Sequence, residues 1–258
     1  MKIMLTGHRG YIGSHLWSIL KKNHELVGFD LKDGQDLLTE PLVEEFDCII
    51  HLAGQSGVRE SMKDPGLYWR NNVEVSKRLF ERYYDTKILY ASSSSVYEPW
   101  LNPYASSKHM VELMGEELEQ AVGMRFHTVY SDTPRKGMFM QKLLDNQLEY
   151  VTGHSRDFIH IDDICNAIIY LLHVEIRGVL DIGTGVSTKI SDLAPHLPVE
   201  IDTPNERDMT CASTDLMEAL GWSPEHDFQE DLTTYKNYSK LAEHNLKEVT
   251  NGTNPNGG

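Results

Sequence analysis

Cysteines are few in this chain, and none is spaced as a metal ligand. Its 258 residues include three, Cys48, Cys165 and Cys211, which stand too far apart for a zinc-type pair. Cys48 and Cys165 lie in apolar runs, which predicts buried thiols in a reducing compartment. The 12 histidines are scattered, and none forms an H-x-x-x-H pair on a predicted helix. We therefore expect no metal site.

Long hydrophobic runs and an excess of basic charge are also missing. No apolar stretch approaches the roughly 18 residues that a membrane helix needs, and no signal-peptide pattern is present, so we expect a cytoplasmic protein. The 24 basic residues are outnumbered by 39 acidic ones, which leaves a net charge of −15. Such a charge argues against nucleic acids and anionic membranes as partners.

What the chain does have is a regular alternation of short apolar runs with helical patterns. This order predicts a parallel β-sheet with helices on both faces, and the length suits one α/β domain with a small appendage. Residues 195–230 are Pro-rich and predict irregular structure. The predicted strands are 1–6, 25–30, 47–52, 87–93, 124–130 and 178–182, and the predicted helices are near 11–22, 40–45, 66–84, 103–121, 136–147, 162–173 and 189–194.

A glycine-rich turn follows the first predicted strand. Gly7, Gly10 and Gly13 recur as G-x-x-G-x-x-G at the start of an amphipathic helix. Glycine permits a tight turn and a close approach of the backbone to a pyrophosphate, and a helix N-terminus offers free N–H groups to an anion. The loop alone is equally compatible with an ordinary strand–turn–helix.

Asp30 strengthens the case for a dinucleotide site. It ends the second strand-like run, seventeen residues after Gly13. An acid at this place can hydrogen-bond ribose hydroxyls and would repel a 2′-phosphate, which favours NAD over NADP, although nearby Lys32 leaves NADP open. In the loop beyond it, Asp36-Leu37 is predicted to place a carboxylate and a backbone N–H beside adenine. The predicted cofactor residues of this region are Gly7, Arg9, Gly10, Tyr11, Ile12, Gly13, Asp30, Asp36 and Leu37.

Tyr104 and Lys108 stand eleven and fifteen residues after Ser93, which lies in a run of four serines. On a helix, positions i and i+4 share one face. A phenol has a reference pKa of about 10, which a neighbouring ammonium lowers, and a serine hydroxyl can bind the substrate oxygen whose proton moves. Tyr83 and Lys87 share the spacing, but no serine cluster precedes them, and we expect a solvated helix end there. We predict Ser93, Tyr104 and Lys108 as the catalytic set.

Further motifs follow these in order along the chain. They are His51-Leu52-Ala53-Gly54, Gly57-Val58-Arg59-Glu60-Ser61 with Asn71-Asn72-Val73, Arg156-Asp157-Phe158 with Asp162, and Leu220-Gly221-Trp222-Ser223-Pro224. From residue 1 to about 232 the chain thereby resembles the extended short-chain dehydrogenase/reductase family, the NAD-dependent nucleotide-sugar epimerases and dehydratases. The resemblance implies a Rossmann-type doubly wound parallel sheet with a small C-terminal substrate-binding region. It also implies NAD contacts from Leu52, Ala53, Gly54, Asn72, Tyr104 and Lys108.

Within that family the chain is most similar to UDP-glucuronate 4-epimerases. The similar stretches are Arg125-Phe126-His127-Thr128-Val129-Tyr130, followed by Arg135 and Met138, and the serines before Val96-Tyr97. Dehydratases would have Asp-Glu at Ser94-Ser95, and UDP-glucuronate decarboxylases Ser-Glu. The similarity implies that hydroxyls and an arginine hold a sugar carboxylate and a diphosphate by charge-assisted hydrogen bonds. The substrate residues so implied are Ser93, Ser94, Ser95, Thr128, Arg135 and Arg207.

The chain departs from the family pattern around this site. Only six residues separate Tyr97 from Tyr104, where the family has a much longer segment that borders the substrate mouth. Glu98 replaces the usual glycine, and Ser131-Asp132 replaces Gly-Pro. Acidic neighbours also flank Arg207, unlike the usual diphosphate-binding arginine. We therefore expect a more open mouth.

The resemblance implies epimerisation at C4 of a nucleoside-diphosphate sugar, a UDP-hexuronate, through a transient 4-keto intermediate. The alternatives are a nucleotide-sugar reductase or decarboxylase of the same family, or a non-catalytic NAD-binding protein. A homodimer is expected through helices 66–84 and 103–121, with Leu67, Leu79, Val111 and Leu118 as candidate contacts. We expect an NAD-binding Rossmann core in 1–130, a mixed region with substrate-binding segments and returning core elements in 131–243, and a disordered tail in 244–258.

Overall fold

Parallel strands form the central sheet of the protein, whose computed structural model describes residues 1–200 and 203–237. Six of them lie in the order β2-β1-β3-β4-β5-β9, and the remaining strands form two small sheets, β10-β8-β6 and β11-β7. The strands are β1 (Lys2–Thr6), β2 (Glu25–Phe29), β3 (Cys48–His51), β4 (Lys87–Ser93), β5 (Ala121–Phe126), β6 (Thr128–Tyr130), β7 (Val151–Thr152), β8 (Ser155–His160), β9 (Gly178–Ile182), β10 (Ser187–Lys189) and β11 (Val199–Glu200).

Helices cover both faces of the central sheet. Because side chains alternate along a strand, Ile3 and Leu5 of β1 join one buried cluster and Met4 joins the other. Strand β1 is thus covered on both sides, and the parallel order of the sheet with its crossover helices confirms the predicted doubly wound α/β fold. The helices are α1 (Tyr11–Leu20), α2 (Val58–Ser61), α3 (Pro65–Tyr68), α4 (Val75–Arg82), α5 (Pro103–Gly115), α6 (Phe139–Leu144), α7 (Ile161–Leu172), α8 (Ile190–Leu193) and α9 (Asp215–Ala219), with a π-helical segment Trp69–Glu74 between α3 and α4.

The strand order reverses beside β1, and this reversal opens a crevice. The chain leaves β1 toward β2 on one side and later returns to β3 on the other. Ligands of open parallel sheets bind at such a switch point, outside the carboxyl ends of the strands. The glycine turn that follows β1 and the segment that follows β3 therefore face the same crevice.

One of the small sheets, β10-β8-β6, is tied to the core by a buried carboxylate. Asp157, on β8, is fully buried. It accepts hydrogen bonds from the backbone N–H groups of Thr184, Gly185 and Ala212, each at 2.9 Å. The Arg-Asp-Phe motif thus joins β8 to the turn after β9 and to the chain near residue 212.

Some predicted elements were wrong in extent. Residues 40–45 form no helix, and two arginines of α4 bind their carbonyls: Arg78 donates to Glu40 at 2.7 Å and Arg82 to Leu42 at 2.7 Å. The helix predicted over 103–121 ends at Gly115, and the strand predicted over 124–130 is split between β5 and β6.

The second Tyr–Lys pair is not a solvated helix end, so that prediction was wrong. Tyr83 is buried in the core, and the Lys87 ammonium donates to the carbonyls of Leu172 at 3.1 Å and Val174 at 2.7 Å. Cys48 and Cys165 are buried as predicted, whereas Cys211 is exposed.

Of the apolar residues predicted to pair two subunits, two serve the monomer instead. Leu79 and Val111 are buried in the core, so they were wrong as dimer contacts, while Leu67 is exposed. In the described ranges, 1–200 and 203–237, helices long and apolar enough to cross a membrane are absent. The predicted tail 244–258, together with residues 238–243, lies outside the described residues.

Candidate active site

A cavity of about 640 Å³ fills the crevice at the switch point. It is bounded by the glycine turn after β1, by the end of β2 and by the segment after β3. Its size and position suit a dinucleotide laid across the strand ends. The predicted cofactor residues that line it are Gly7, Arg9, Gly10, Tyr11, Asp30, Asp36, Leu37, Leu52, Ala53 and Gly54.

Two glycines of the turn have no room for a side chain. Gly7 has a φ of +71°, and a Cβ there would meet the backbone nitrogen of Ala53 at 2.7 Å. A Cβ on Gly13 would lie 2.1 Å from the Gly7 carbonyl oxygen. Gly13 is therefore needed for the close packing of α1 on the turn, behind the cavity wall, and Ile12 packs toward the core. The turn fits the close backbone approach that a pyrophosphate requires.

Asp30 is held in place at the end of β2 by backbone donors. Its carboxylate accepts hydrogen bonds from the N–H groups of Arg9 and Lys32, each at 2.9 Å. The Lys32 ammonium points to the Arg9 carbonyl at 2.9 Å. Further along the cavity, Asp36 pairs with Arg70 at 3.0 Å. The carboxylate that is predicted to bind the ribose is thus held by donors of the chain itself.

Arg135 lies on the cofactor cavity, together with Thr133. The loop that carries both residues is joined to the glycine turn, since the Tyr11 hydroxyl donates to Ser131 at 2.8 Å. The family similarity implied that Arg135 helps to hold the sugar carboxylate and the diphosphate. The structure places Arg135 on the cavity beside the glycine turn, and its role stays a prediction.

Tyr104 and Lys108 project from the first turns of α5. Asn102 caps this helix by accepting a hydrogen bond from the Ala105 N–H at 2.8 Å, and Pro103 occupies the first position. Lys108 is buried, and its ammonium donates to the Ala91 carbonyl at 2.8 Å. Burial lowers the pKa of Lys108 to about 8.

The pKa of the Tyr104 phenol is shifted upward, whereas its predicted role as a base needs a lower pKa. Burial raises its pKa, and the nearby Ser93 hydroxyl only partly offsets this. Lys108 is turned toward Ala91, so its predicted effect on Tyr104 stays a prediction for the cofactor-bound protein. The Tyr104 ring also meets Tyr68 edge-on, with 6.1 Å between centroids.

Ser93 starts a tight turn, Ser94–Tyr97, at the end of β4; we call residues 93–97 the serine turn. Its hydroxyl accepts the Ser95 N–H at 3.2 Å and donates to the Ser95 hydroxyl at 3.2 Å. Ser93 and Ser94 are buried. The serine that the sequence predicts as catalytic therefore also caps the turn.

Asn72 is buried in the π-helical segment, where the wider turn re-aims side chains. Its amide oxygen accepts the Gln55 N–H at 2.7 Å, and its amide nitrogen donates to the Ser107 hydroxyl at 2.8 Å. Asn72 thus fastens the segment after β3 to helix α5. A Cβ on Gly54 would lie 3.4 Å from the Lys108 ammonium. The hydrogen bonds of Asn72 therefore also position Lys108 relative to the cofactor cavity.

A second cavity, of about 760 Å³, adjoins the first along one stretch of chain. Gly54, Gln55 and Ser56 line the cofactor cavity, and the next four residues, 57–60, line the second one. Thr128 also lines it. Three cations that the sequence reasoning did not assign a role stand in its wall: Arg59, Lys142 and Arg156.

Arg207 lies on the serine turn. Its guanidinium donates to Glu98 at 3.0 Å and to the Ser94 carbonyl at 2.8 Å. The sequence placed it with the substrate diphosphate.

One group of possible metal ligands occurs among residues 1–200 and 203–237: His160, His226 and Asp231. The two imidazole rings stack with centroids 3.8 Å apart and planes 24° apart, so their in-plane lone pairs do not converge. His160 Nδ1 is already engaged, since it accepts the Asp162 N–H at 3.2 Å. The expectation of no metal site stays a prediction.

A family model described as the NAD dependent epimerase/dehydratase family matches residues 3–183. The chain belongs to this family. Its cofactor is accordingly NAD, and the cavity lined by the glycine turn and Asp30 fits it. The chain is 27% identical over 263 residues, 86% of its own length and 81% of the relative's, to a UDP-glucuronate 4-epimerase from Thermodesulfobacterium geofontis.

Solved structures of similar proteins match across most of the fold. The UDP-glucuronic acid 4-epimerase from Bacillus cereus, in complex with UDP-glucuronic acid and NAD, superposes with a TM-score of 0.79 at 27% identity, covering 94% of this chain and 100% of that one. MoeE5 in complex with UDP-glucose and NAD gives a TM-score of 0.82 at 26% identity, covering 94% and 99%.

Proposed function

We propose that the protein is an NAD-dependent 4-epimerase of a UDP-sugar, with a UDP-hexuronate as its preferred substrate. The observation that carries the proposal is the position of the Tyr104 and Lys108 pair. Lys108 lies against Gly54, at the start of the stretch 54–60 that borders both cavities. A cofactor in the first cavity would lie beside Gly54 and therefore close to Lys108.

In this proposal the cofactor and the chain have separate tasks. When bound, NAD supplies the redox chemistry by taking a hydride from C4 of the sugar and returning it to the other face. Tyr104 takes the proton of the 4-hydroxyl and gives it back, and Ser93 holds the sugar oxygen. Lys108 binds the nicotinamide ribose and, as a cation near the phenol, favours its ionised form. The intermediate is a transient 4-keto sugar.

The preference for a uronate rests on the second cavity and on similarity. Thr128 and the cations Arg59, Lys142 and Arg156 line that cavity together with Glu60, Glu149 and Glu206. Arg59 pairs with Glu206 at 2.9 Å, and a diphosphate or carboxylate would have to displace this carboxylate to be bound by the hydroxyl and the cations. Neither Ser94 nor Ser95 is an acid that would eliminate water. Two of the similar proteins are described as UDP-glucuronate 4-epimerases.

The test is incubation of the purified protein with UDP-glucuronate and, separately, UDP-glucose, followed by chromatography of the products. We expect UDP-galacturonate from the first, without loss of CO2 or water, and much slower conversion of UDP-glucose. A site that binds a charged group rejects the analogue lacking it, because its own polar groups would be left unpaired. Faster conversion of UDP-glucose, or release of a UDP-pentose, would overturn the uronate preference.

We further propose a cytoplasmic homodimer. The buried free thiols Cys48 and Cys165 suit a reducing compartment. A groove of about 540 Å³ runs along the exposed apolar side chains Met62, Trp69 and Trp100. Exposed apolar surface of this kind is typical of subunit contacts.

For the domain organisation, we propose residues 1–130 as the NAD-binding core and residues 131–243 as the mixed region.

A further inference from the structure

We propose that Arg207 is a positioning residue that fixes the serine turn, and with it Ser93, instead of a ligand of the substrate diphosphate. The inference rests on the proposed function, because Ser93 has a chemical task only there. Only six residues separate Tyr97 from Tyr104. The serine turn is held by residues distant in the chain, Arg207 among them.

Arg207 binds the turn at both ends. Its Nη1 donates to the carbonyl of Ser94 at 2.8 Å, next to the proposed catalytic serine. Its Nε donates to the carboxylate of Glu98 at 3.0 Å, directly after the turn. Arginine recognises phosphates through a planar fork of N–H donors. Two of its donors, on Nε and Nη1, are already used on the turn, so fewer donors remain for a diphosphate.

The Arg207 guanidinium also contacts the aromatic ring of the serine turn, that of Tyr97. The guanidinium of Arg207 lies 5.1 Å from the centre of the Tyr97 ring, and that of Arg125 lies 4.6 Å from it. The Tyr97 hydroxyl donates to Asp181 at 2.7 Å, and Arg125 is fixed by Glu112 at 2.8 Å. The ring is thus anchored at its face and at its hydroxyl.

Glu98 belongs to this arrangement. Its carboxylate neutralises Arg207, whose side chain is only 21% exposed, and a glycine at this position could not do so. The acid that departs from the family pattern and the arginine with atypical flanks are therefore partners.

The test compares Arg207→Gln with Arg177→Gln, a control at an exposed arginine before β9. Amide hydrogen exchange of a peptide spanning 93–98 and calorimetric binding of UDP are measured for both variants and the wild type. We expect faster exchange in the turn of Arg207→Gln, with a UDP dissociation constant within about 3-fold of wild type. A misplaced catalytic group can cost about 10²-fold, so kcat should fall by up to that factor with KM little changed.

Glu98→Gln is a second variant in case Arg207→Gln folds poorly. It should also speed exchange in the turn, and its effect on kcat should not add to that of Arg207→Gln. UDP binding weakened tenfold or more in Arg207→Gln, or unchanged exchange in both variants, would overturn the inference. A wild-type protein without epimerase activity would instead overturn the proposed function, and the exchange measurement would still decide the role of Arg207.

Discussion

The buried ammonium of Lys108 makes the candidate site sensitive to pH. Burial holds its pKa at about 8 in the folded protein, whereas an unfolded chain has about 10.4. Between these values the unfolded state binds more protons than the folded one, so stability rises with pH there. The penalty for burying the charge is full below the folded pKa and is relieved as pH rises through it.

We therefore expect wild type to gain stability relative to Lys108→Met as the pH increases from about 7 to about 9.5. Urea unfolding of both proteins at several pH values, without cofactor, measures the difference in unfolding free energy. A difference that stays constant over this range would show that Lys108 does not titrate there.

Tyr104 is the residue on which turnover should depend most. Tyr104→Phe keeps the ring that meets Tyr68 but removes the only atom that can move the proton. General acid–base groups contribute about 10²–10⁴-fold, so kcat should fall within that range while NAD still binds. Turnover in a NAD-saturated assay and calorimetry with NAD give the two readouts. Activity within a few-fold of wild type would remove Tyr104 from the mechanism.

At the level of elements, the alternation of apolar runs and helices was sufficient to predict the central sheet. The glycine turn and Asp30 were sufficient to predict the cofactor crevice, because short-range rules govern both. The irregular stretch 40–45 was not predictable in this way, since Arg78 and Arg82 bind its carbonyls from a helix far along the chain. The positions of Arg135 and Arg207 likewise depend on tertiary contacts that no local pattern encodes.

The glycine turn itself offers a test at this scale. In Gly13→Ala the new Cβ would meet the Gly7 carbonyl oxygen at 2.1 Å, so α1 must shift away from the turn. We expect weaker NAD binding, by tenfold or more, and a lower melting temperature. Gly153→Ala is the matched control, since a Cβ there would have no heavy atom within 4 Å. Equal NAD affinity in the two variants would show that the turn does not need this close packing.

The whole molecule carries a net charge of −15, which by itself keeps copies apart. Its exposed surface nevertheless includes large apolar side chains on and between α3 and α5: Leu67 at 40%, Trp69 at 45%, Trp100 at 74% and Leu113 at 44% exposed. Burial of such a surface against a second copy would remove apolar area from water, and physiological salt screens part of the charge repulsion.

We expect the wild type to sediment as a dimer at micromolar concentration, and Leu113→Asp to shift the equilibrium to monomer. A carboxylate inside an apolar contact would be desolvated without a partner, which is costly in the dimer, whereas in the monomer this side chain is exposed. Val186→Asp is the control, because Val186 is 66% exposed but lies in the turn before β10. Analytical ultracentrifugation of the three proteins decides the matter. A wild type that stays monomeric at high concentration, or a Leu113→Asp variant that stays dimeric, would contradict pairing through α3 and α5.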